Sequence, residues 1–312
     1  MSNELILHHY ATSPFSEKIR LILGFKGVAW RSVTVPPIMP KPDVIALTGG
    51  YRKTPFLQIG ADIYCDTALM ARVIEAHYPE PSLYPAEISG MAQMLAQWAD
   101  STLFWTAIPY TAQPAGLAAL FANARPEALK AFAADRAPFT SSMVRQTPAD
   151  ATMALHTYLG WLEMHMADER DFLAGGQASI ADFSTAHCLW YVHRAPELAR
   201  IFGGYPKLRA WFERVRAFGR GESTPMTSAD AIDVAAKAKQ HAPTEVQAGL
   251  GFSRGDAITV MPTDYGRDPV AGTLVGLTNI EVVIEHRDER AGTLHVHFPR
   301  LGFQIRKQEQ AT

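Results

Sequence analysis

Strand-like runs crowd both ends of this 312-residue chain and vanish from its middle, and that distribution limits the folds open to it. Near the start, "ELILHHY" is a short apolar run with the look of a buried strand. Phe15, Ile19, Ile22 and Leu23 then recur at helical spacing, with Gly27 as a stop. "AWRSVTV" reads as a second strand, broken by "PPIMPKP". "DVIAL" makes a helical turn ended by Gly49 and Gly50. "PFLQI" and "DIYCD", joined by Gly60 and Ala61, predict a hairpin. "TALMARVIEAHY" predicts a helix that stops before Pro79 and Pro81. Residues 1–85 therefore read as an α/β domain of order β-α-β, a short turn, then β-β-α.

From 86 to 225 the strand signals are gone. Ala-, Leu- and Met-rich stretches, interrupted near Pro109, Pro126, Pro138 and Pro148, predict an all-α domain. Ser179 followed by Asp182 is a capping-box pattern at the start of one of its helices. "RGESTPMTS" (220–228) has the composition of a linker. Residues 226–312 begin with one more helix, "ADAIDVAAKAKQ". They continue with "AITVMP", "AGTLVGL", "EVVIEH", "TLHVHF" and "GFQIRK". Five short strands with turn residues between them predict a small β-barrel-like or sandwich module, folded separately.

Composition narrows the function. A hydrophobic share of 47% supports a sizeable core. A net charge of -2 argues against nucleic acid or an anionic membrane as partner. Residues 251–312 hold seven Lys plus Arg against eight Asp plus Glu, so they offer no basic patch either. No apolar run approaches the ~20 residues of a membrane span, and no signal-peptide pattern opens the chain. Cys65 and Cys188, without a CxxC, fit a reducing cytoplasm and read as small buried apolar residues. His8 and His9 are adjacent on a strand and point to opposite faces. His295 and His297 share a face, but no third ligand is evident. They read as an exposed strand face, and no metal is expected.

Four motifs occur in a telling order. Ser13-Pro14-Phe15-Ser16 lies at the first strand–helix junction, and Thr54-Pro55-Phe56-Leu57 opens the third strand. Asp66-Thr67 opens the third helix, and Ser179-Ile180-Ala181-Asp182 lies within "FLAGGQASIADF". Together, over about 220 residues, they resemble a glutathione transferase, and the "SPF" junction is most similar to the serine-using tau and zeta-like classes. The resemblance implies a thioredoxin-like domain, an α-helical domain, a homodimer, and glutathione as co-substrate. It stops near residue 225.

Glutathione is an anionic tripeptide with one thiol. An enzyme using it must hold the carboxylates, bind the peptide backbone and favour thiolate over thiol. By the resemblance, Ser13 donates to the thiolate at a helix N-terminus, where unpaired N–H groups and the dipole favour negative charge. Serine followed by proline is equally a helix cap with proline at the first helical position. Thr12 is the neighbouring alternative, and Tyr10 lies further back. Thr54-Pro55 is implied to be cis and to pair with the cysteinyl part of glutathione. Asp66 would accept from the γ-glutamyl ammonium and Thr67 would hold its carboxylate; either is also a plain cap. Lys53 would meet the glycyl carboxylate or remain a solvated lysine. Phe104, Trp105 and Tyr110, with Tyr10, are candidates to line a pocket for a hydrophobic electrophile between the domains, or are helix core. Asp182 is implied to be a structural cap.

The leading functional expectation is conjugation of glutathione to an electrophilic carbon. Glutathione-dependent isomerisation or dehalogenation is the close variant, and a non-catalytic binding protein is the rival from another class. A thiol oxidoreductase is disfavoured, because residues 12–16 contain no cysteine.

Overall fold

A computed structural model describes residues 4–141 and 143–308. The first domain runs β1 (Ile6–His9), α1 (Pro14–Phe25), β2 (Ala29–Thr34), α2 (Pro42–Thr48), β3 (Phe56–Ile59), β4 (Asp62–Cys65) and α3 (Thr67–His77). β1 pairs parallel with β2 and antiparallel with β3, and β3 pairs antiparallel with β4. This is the thioredoxin-like arrangement.

The unbroken apolar texture of these strands has a simple cause. Successive side chains alternate between faces, and both faces are covered. Leu5, Leu7, Leu57 and Tyr64 enter a core shared with the helical domain. Ile6, Phe56, Ile63 and Cys65 enter a second core on the opposite face. Cys65 and Cys188 are both free and buried. His8 and His9 do diverge: His8 donates to Gln58 Oε1 (2.8 Å), and His9 donates from Nε2 to Ser32 Oγ (2.9 Å) while Arg20 donates to its Nδ1 (3.0 Å).

The helical domain comprises α4 (Ser89–Trp98), α5 (Phe104–Thr111), α6 (Pro114–Leu120), α7 (Pro126–Thr140), α8 (Pro148–His165), α9 (Ile180–His193) and α10 (Pro206–Ala217). A π-helical turn, Ala99–Leu103, joins α4 to α5. Pro126 and Pro148 stand at helix starts, where the missing N–H costs nothing. Pro109 and Pro138 lie inside helices, so these two do not mark breaks. α9 begins with the expected capping box. Asp182 accepts from the N–H of Ser179 (2.8 Å), the N–H of Leu173 (2.8 Å) and Trp211 Nε1 (2.7 Å), fully out of water. Four donors, counting the Ser179 hydroxyl at 3.1 Å, explain a carboxylate in a core. No described helix is long and apolar enough to cross a membrane.

The C-terminal region holds β5 (Glu222–Met226), α11 (Ser228–Lys237), β6 (Ala257–Pro262), β7 (Val270–Leu277), β8 (Glu281–Asp288), β9 (Gly292–Pro299) and β10 (Phe303–Lys307). The stretch 220–228 is not a free linker. Its middle forms β5, parallel to β2 from Ala29↔Glu222 to Val33↔Met226. Pro225 is tolerated because β5 is an edge strand. A composition rich in Gly, Ser, Thr and Pro signals a turn locally, and tertiary pairing overrides it.

The five later strands expected from the sequence are present, and their pairing continues the first domain's sheet. Among the described residues, ten strands make one sheet of order β10-β6-β7-β8-β9-β4-β3-β1-β2-β5. The joint is β4 against β9, parallel, with Asp62↔His295 and Tyr64↔His297. The second core accordingly mixes Ile6, Val33 and Phe56 with Ile232, Leu294, Val296 and Phe298. Gln58 Nε2 reaches the carbonyl of Ala231 (2.8 Å), and Arg290 pairs with Asp43 (2.7 Å). His295 and His297 are not an exposed strand face. β4 lies beside β9, and His297 is buried.

Candidate functional site

Segments far apart in sequence converge on a cavity of about 510 Å3, within the range of small-molecule sites. Lys53, Thr54 and Pro55 enter from the start of β3. The Thr54–Pro55 peptide is cis, as the resemblance implies. Asp66 and Thr67 enter from the turn between β4 and α3. Phe15 and Lys18 come from α1, and Gln93, Gln97 and Asp100 from the helical domain.

Asp66 has φ 73° and ψ 135°, a conformation rare for a residue with a side chain. Such backbones persist where surroundings over-determine them, often at ligand sites. Its side chain caps α3 by accepting from the N–H of Ala68 (2.9 Å). Enclosure pushes the Asp66 carboxyl above its usual pKa, against the pull of that N–H and of Lys18 and Lys53. A cationic ligand beside it would favour the ionised form. Thr67 Oγ1 accepts from Lys18 Nζ (3.3 Å), which leaves the hydroxyl proton free to donate. Thr54 Oγ1 accepts from Lys41 Nζ (3.3 Å).

Lys53 is held from the C-terminal region. Asp264 Oδ1 lies 3.1 Å from its Nζ, and the Tyr265 ring centroid 3.9 Å from it. Burial lowers the Lys53 pKa, and Asp264 opposes that shift. Tyr265 also stands edge-on to Trp105, with centroids 5.0 Å apart. The loop between β6 and β7 thus walls the cavity, and Asn279, Ile280, Leu301 and Phe303 extend that wall.

Two of the lining residues, Lys18 and Asp100, belong to a largely buried polar network. Lys18 Nζ meets Asp100 Oδ2 at 2.5 Å, Ser184 Oγ donates to the same oxygen (3.1 Å), and His187 Nε2 is 2.9 Å from Oδ1. It ties α1 to the helical domain.

All five residues expected to hold glutathione, Lys53, Thr54, Pro55, Asp66 and Thr67, line this one cavity. Ser13, Thr12, Tyr10, Phe104, Trp105 and Tyr110 are not part of its wall. Ser13 is buried at the N-cap of α1, and its Oγ accepts from the N–H of Ser16 (3.2 Å). Thr12 is exposed, and its carbonyl accepts from Arg194 (3.1 Å). Phe104 packs on Phe15, and the Tyr110 hydroxyl is used by the Leu198 carbonyl (2.9 Å).

Lys18, Asp100, Asp264 and Tyr265 escaped the sequence reading. Lys18 had a signal: four residues before Ile22, it sits on the apolar stripe of α1. Asp264 had none, since its partner is 211 residues away.

A thioredoxin-like domain, an all-helical domain and a cavity lined from both define a class of two-domain folds. Family models for the glutathione S-transferase N-terminal and C-terminal domains match residues 7–82 and 124–214. A crystal structure of a GST-like protein from Pseudomonas syringae is 42% identical, with a TM-score of 0.82. The match covers 98% of this chain and 100% of that one. The chain belongs to the glutathione S-transferase family. That coverage takes in the C-terminal strands as well.

More distant structures share the fold over less of the chain. A glutathione S-transferase from Rhodospirillum rubrum F11 is 19% identical, with a TM-score of 0.53, covering 68% of this chain and 88% of that one. A tau-class glutathione S-transferase from mango is 15% identical, with a TM-score of 0.52, covering 70% and 90%. No curated protein matches the chain.

Proposed function

We propose that this chain binds glutathione in the cavity and joins its sulfur to an apolar electrophile. The observation that carries the reading is the convergence of Lys53, Thr54, Pro55, Asp66 and Thr67 on one wall. In this reading Asp66 accepts from the γ-glutamyl ammonium. The Thr67 hydroxyl donates to the neighbouring carboxylate at the N-terminus of α3. The main chain at Thr54 pairs with the cysteinyl unit, and Lys53 meets the glycyl carboxylate.

The thiol end points toward the start of α1. Ser13 Oγ already accepts from Ser16, so its proton is available to a thiolate. The helix dipole favours the same charge. The thiolate sulfur then forms a C–S bond, and the leaving group departs from the carbon as an anion. The apolar partner is received at the rim by Met94, Ile280 and Leu301, which are 70%, 49% and 78% exposed. The chain acts as a homodimer in this reading, and sedimentation at micromolar concentration showing only a 34.3 kDa species would contradict that part.

One observation favours a second reading, glutathione binding without conjugation. Ser13 is buried, already engaged as a cap, and outside the cavity wall. Calorimetric titration with glutathione, followed by a panel of electrophiles, separates the two. Asp66→Ala should weaken glutathione binding by about 1–3 kcal/mol, the cost of losing a charged hydrogen bond. Equal affinity in a folded Asp66→Ala variant removes Asp66 from the site.

A further inference from the structure

The joint between β4 and β9 gathers an unusual set of side chains. Asp62 opens β4, and His295 is its register partner on β9. His241 arrives from the segment between α11 and β6. His241 Nδ1 lies 3.7 Å from Asp62 Oδ1, and His295 Nδ1 lies 3.8 Å from the same oxygen. The two imidazoles stack, with centroids 3.8 Å apart and planes 17° apart, so both Nδ1 atoms face the same carboxylate. Both are buried atoms without a hydrogen-bond partner.

Two orphaned ring nitrogens in one place need a cause, because an unsatisfied buried polar atom is costly. The three donor atoms lie within 4.8 Å of one another. They are too far apart to bond each other. One small atom between them reaches all three at about 2.0–2.2 Å after a slight contraction, the usual length for zinc with imidazole and carboxylate. His241 lies outside helix and strand, so its ring can tilt toward such a centre.

The carboxylate is also braced as a metal ligand's would be. His297 Nε2 is 3.0 Å from Asp62 Oδ1, and the N–H of Ala242 donates to Oδ2 at 3.0 Å. His297 is held at its other nitrogen by Glu281 (3.0 Å). Hydrogen bonds of this kind orient ligating groups and tune their affinity. Ala242 follows His241 directly, so one contact places two parts of the set. The sequence offered only His295 and His297. The third and fourth members come from residues 62 and 241, which only the fold brings together.

We propose that Asp62, His241 and His295 form a divalent-metal site that clamps the C-terminal region to the edge of the first domain's sheet. Two imidazoles and one carboxylate suit zinc, with a fourth position for water. None of the three residues lines the cavity, and the site does not depend on the glutathione reading.

The test is zinc binding to the full chain after chelator treatment, measured by competition with a chromophoric chelator. Wild type should take one zinc per chain. His241→Asn and His295→Asn should each weaken it by about tenfold or more, the scale of disturbing a metal site. His77→Asn, on an exposed helix end, should change nothing. A second readout is thermal unfolding: zinc should raise the wild-type midpoint and leave that of His241→Asn unmoved, because a ligand that binds only the folded state stabilises it. His241 lies in a loop with 22% of its side chain exposed, so a folded variant is the expected outcome. Zinc binding as tight in His241→Asn as in wild type overturns the site, as does wild-type affinity no better than that of a chain carrying both His241→Asn and His295→Asn.

Discussion

The ammonium of Lys53 and the carboxylate of Asp264, 211 residues apart in sequence, meet at 3.1 Å on the wall of the cavity. The positive charge that the proposed reading assigns to the glycyl carboxylate is already matched from within the chain.

The consequence is competition. Asp264 is half exposed, so its pair with Lys53 is worth at most about 1 kcal/mol. Asp264→Asn should therefore tighten glutathione binding by about two- to fivefold, and Lys53→Ala should weaken it. Calorimetry on both variants checks this. Weaker binding in Asp264→Asn would mean that the carboxylate touches the ligand itself.

Ser13 separates catalysis from capping. As a cap alone, Ser13→Ala costs about 0.5–2 kcal/mol of stability and leaves the thiol pKa of bound glutathione unchanged. As a thiolate partner, its loss raises that pKa and cuts turnover with little loss of affinity. Thiolate absorbance against pH, for wild type, Ser13→Ala and Thr12→Ala, is the measurement. A shift in Thr12→Ala alone transfers the role to Thr12. Ser13→Cys should add thiol exchange with glutathione.

Asp100 gives a pH signature. Burial by itself would raise its pKa; the Lys18 ammonium and His187 outweigh burial and hold it at about 2, below the ordinary 3.8. Burial lowers the His187 pKa, and its Nε2–H donates to Asp100. A carboxyl depressed by folding stabilises the native state above the unfolded pKa, and the gain is lost as pH falls through the folded one. Unfolding free energy should thus drop by roughly 2 kcal/mol between about pH 4 and pH 2 from this group. Asp100→Asn should be less stable at pH 7, because Lys18 is left buried and unpaired. Its acid slope should be shallower. Equal slopes in denaturant titrations would discount the network.

A chain ending at residue 225 tests how far the C-terminal region is a domain of its own. It loses Ile232, Leu294 and Phe298 from a core that also holds Ile6 and Phe56, and it bares the edge of β4. Removing one such large side chain alone costs about 2–5 kcal/mol. The expected result is loss of cooperative unfolding by circular dichroism. A truncated chain that folds and binds glutathione would show the region to be dispensable.

Much of this protein is written locally. Apolar spacing in α1 and α3, the Gly60 turn between β3 and β4, and the box of Ser179 with Asp182 depend on near neighbours, and the structure has each where the sequence puts it. The five residues on the cavity wall are singled out by the order of motifs that resembles a glutathione transferase, two of which, Thr54-Pro55 and Asp66-Thr67, are short local patterns. Other features depend on partners far along the chain. Residues 220–228 look like a linker until β2 pairs with them. Lys18 is a charge on the apolar stripe of α1 without a visible partner until Asp100 closes on it. His295 looks exposed until β4 lies beside β9. The segments that cover or pair these groups lie about 80 to 230 residues away, and no local pattern of residue types records which distant segment will arrive.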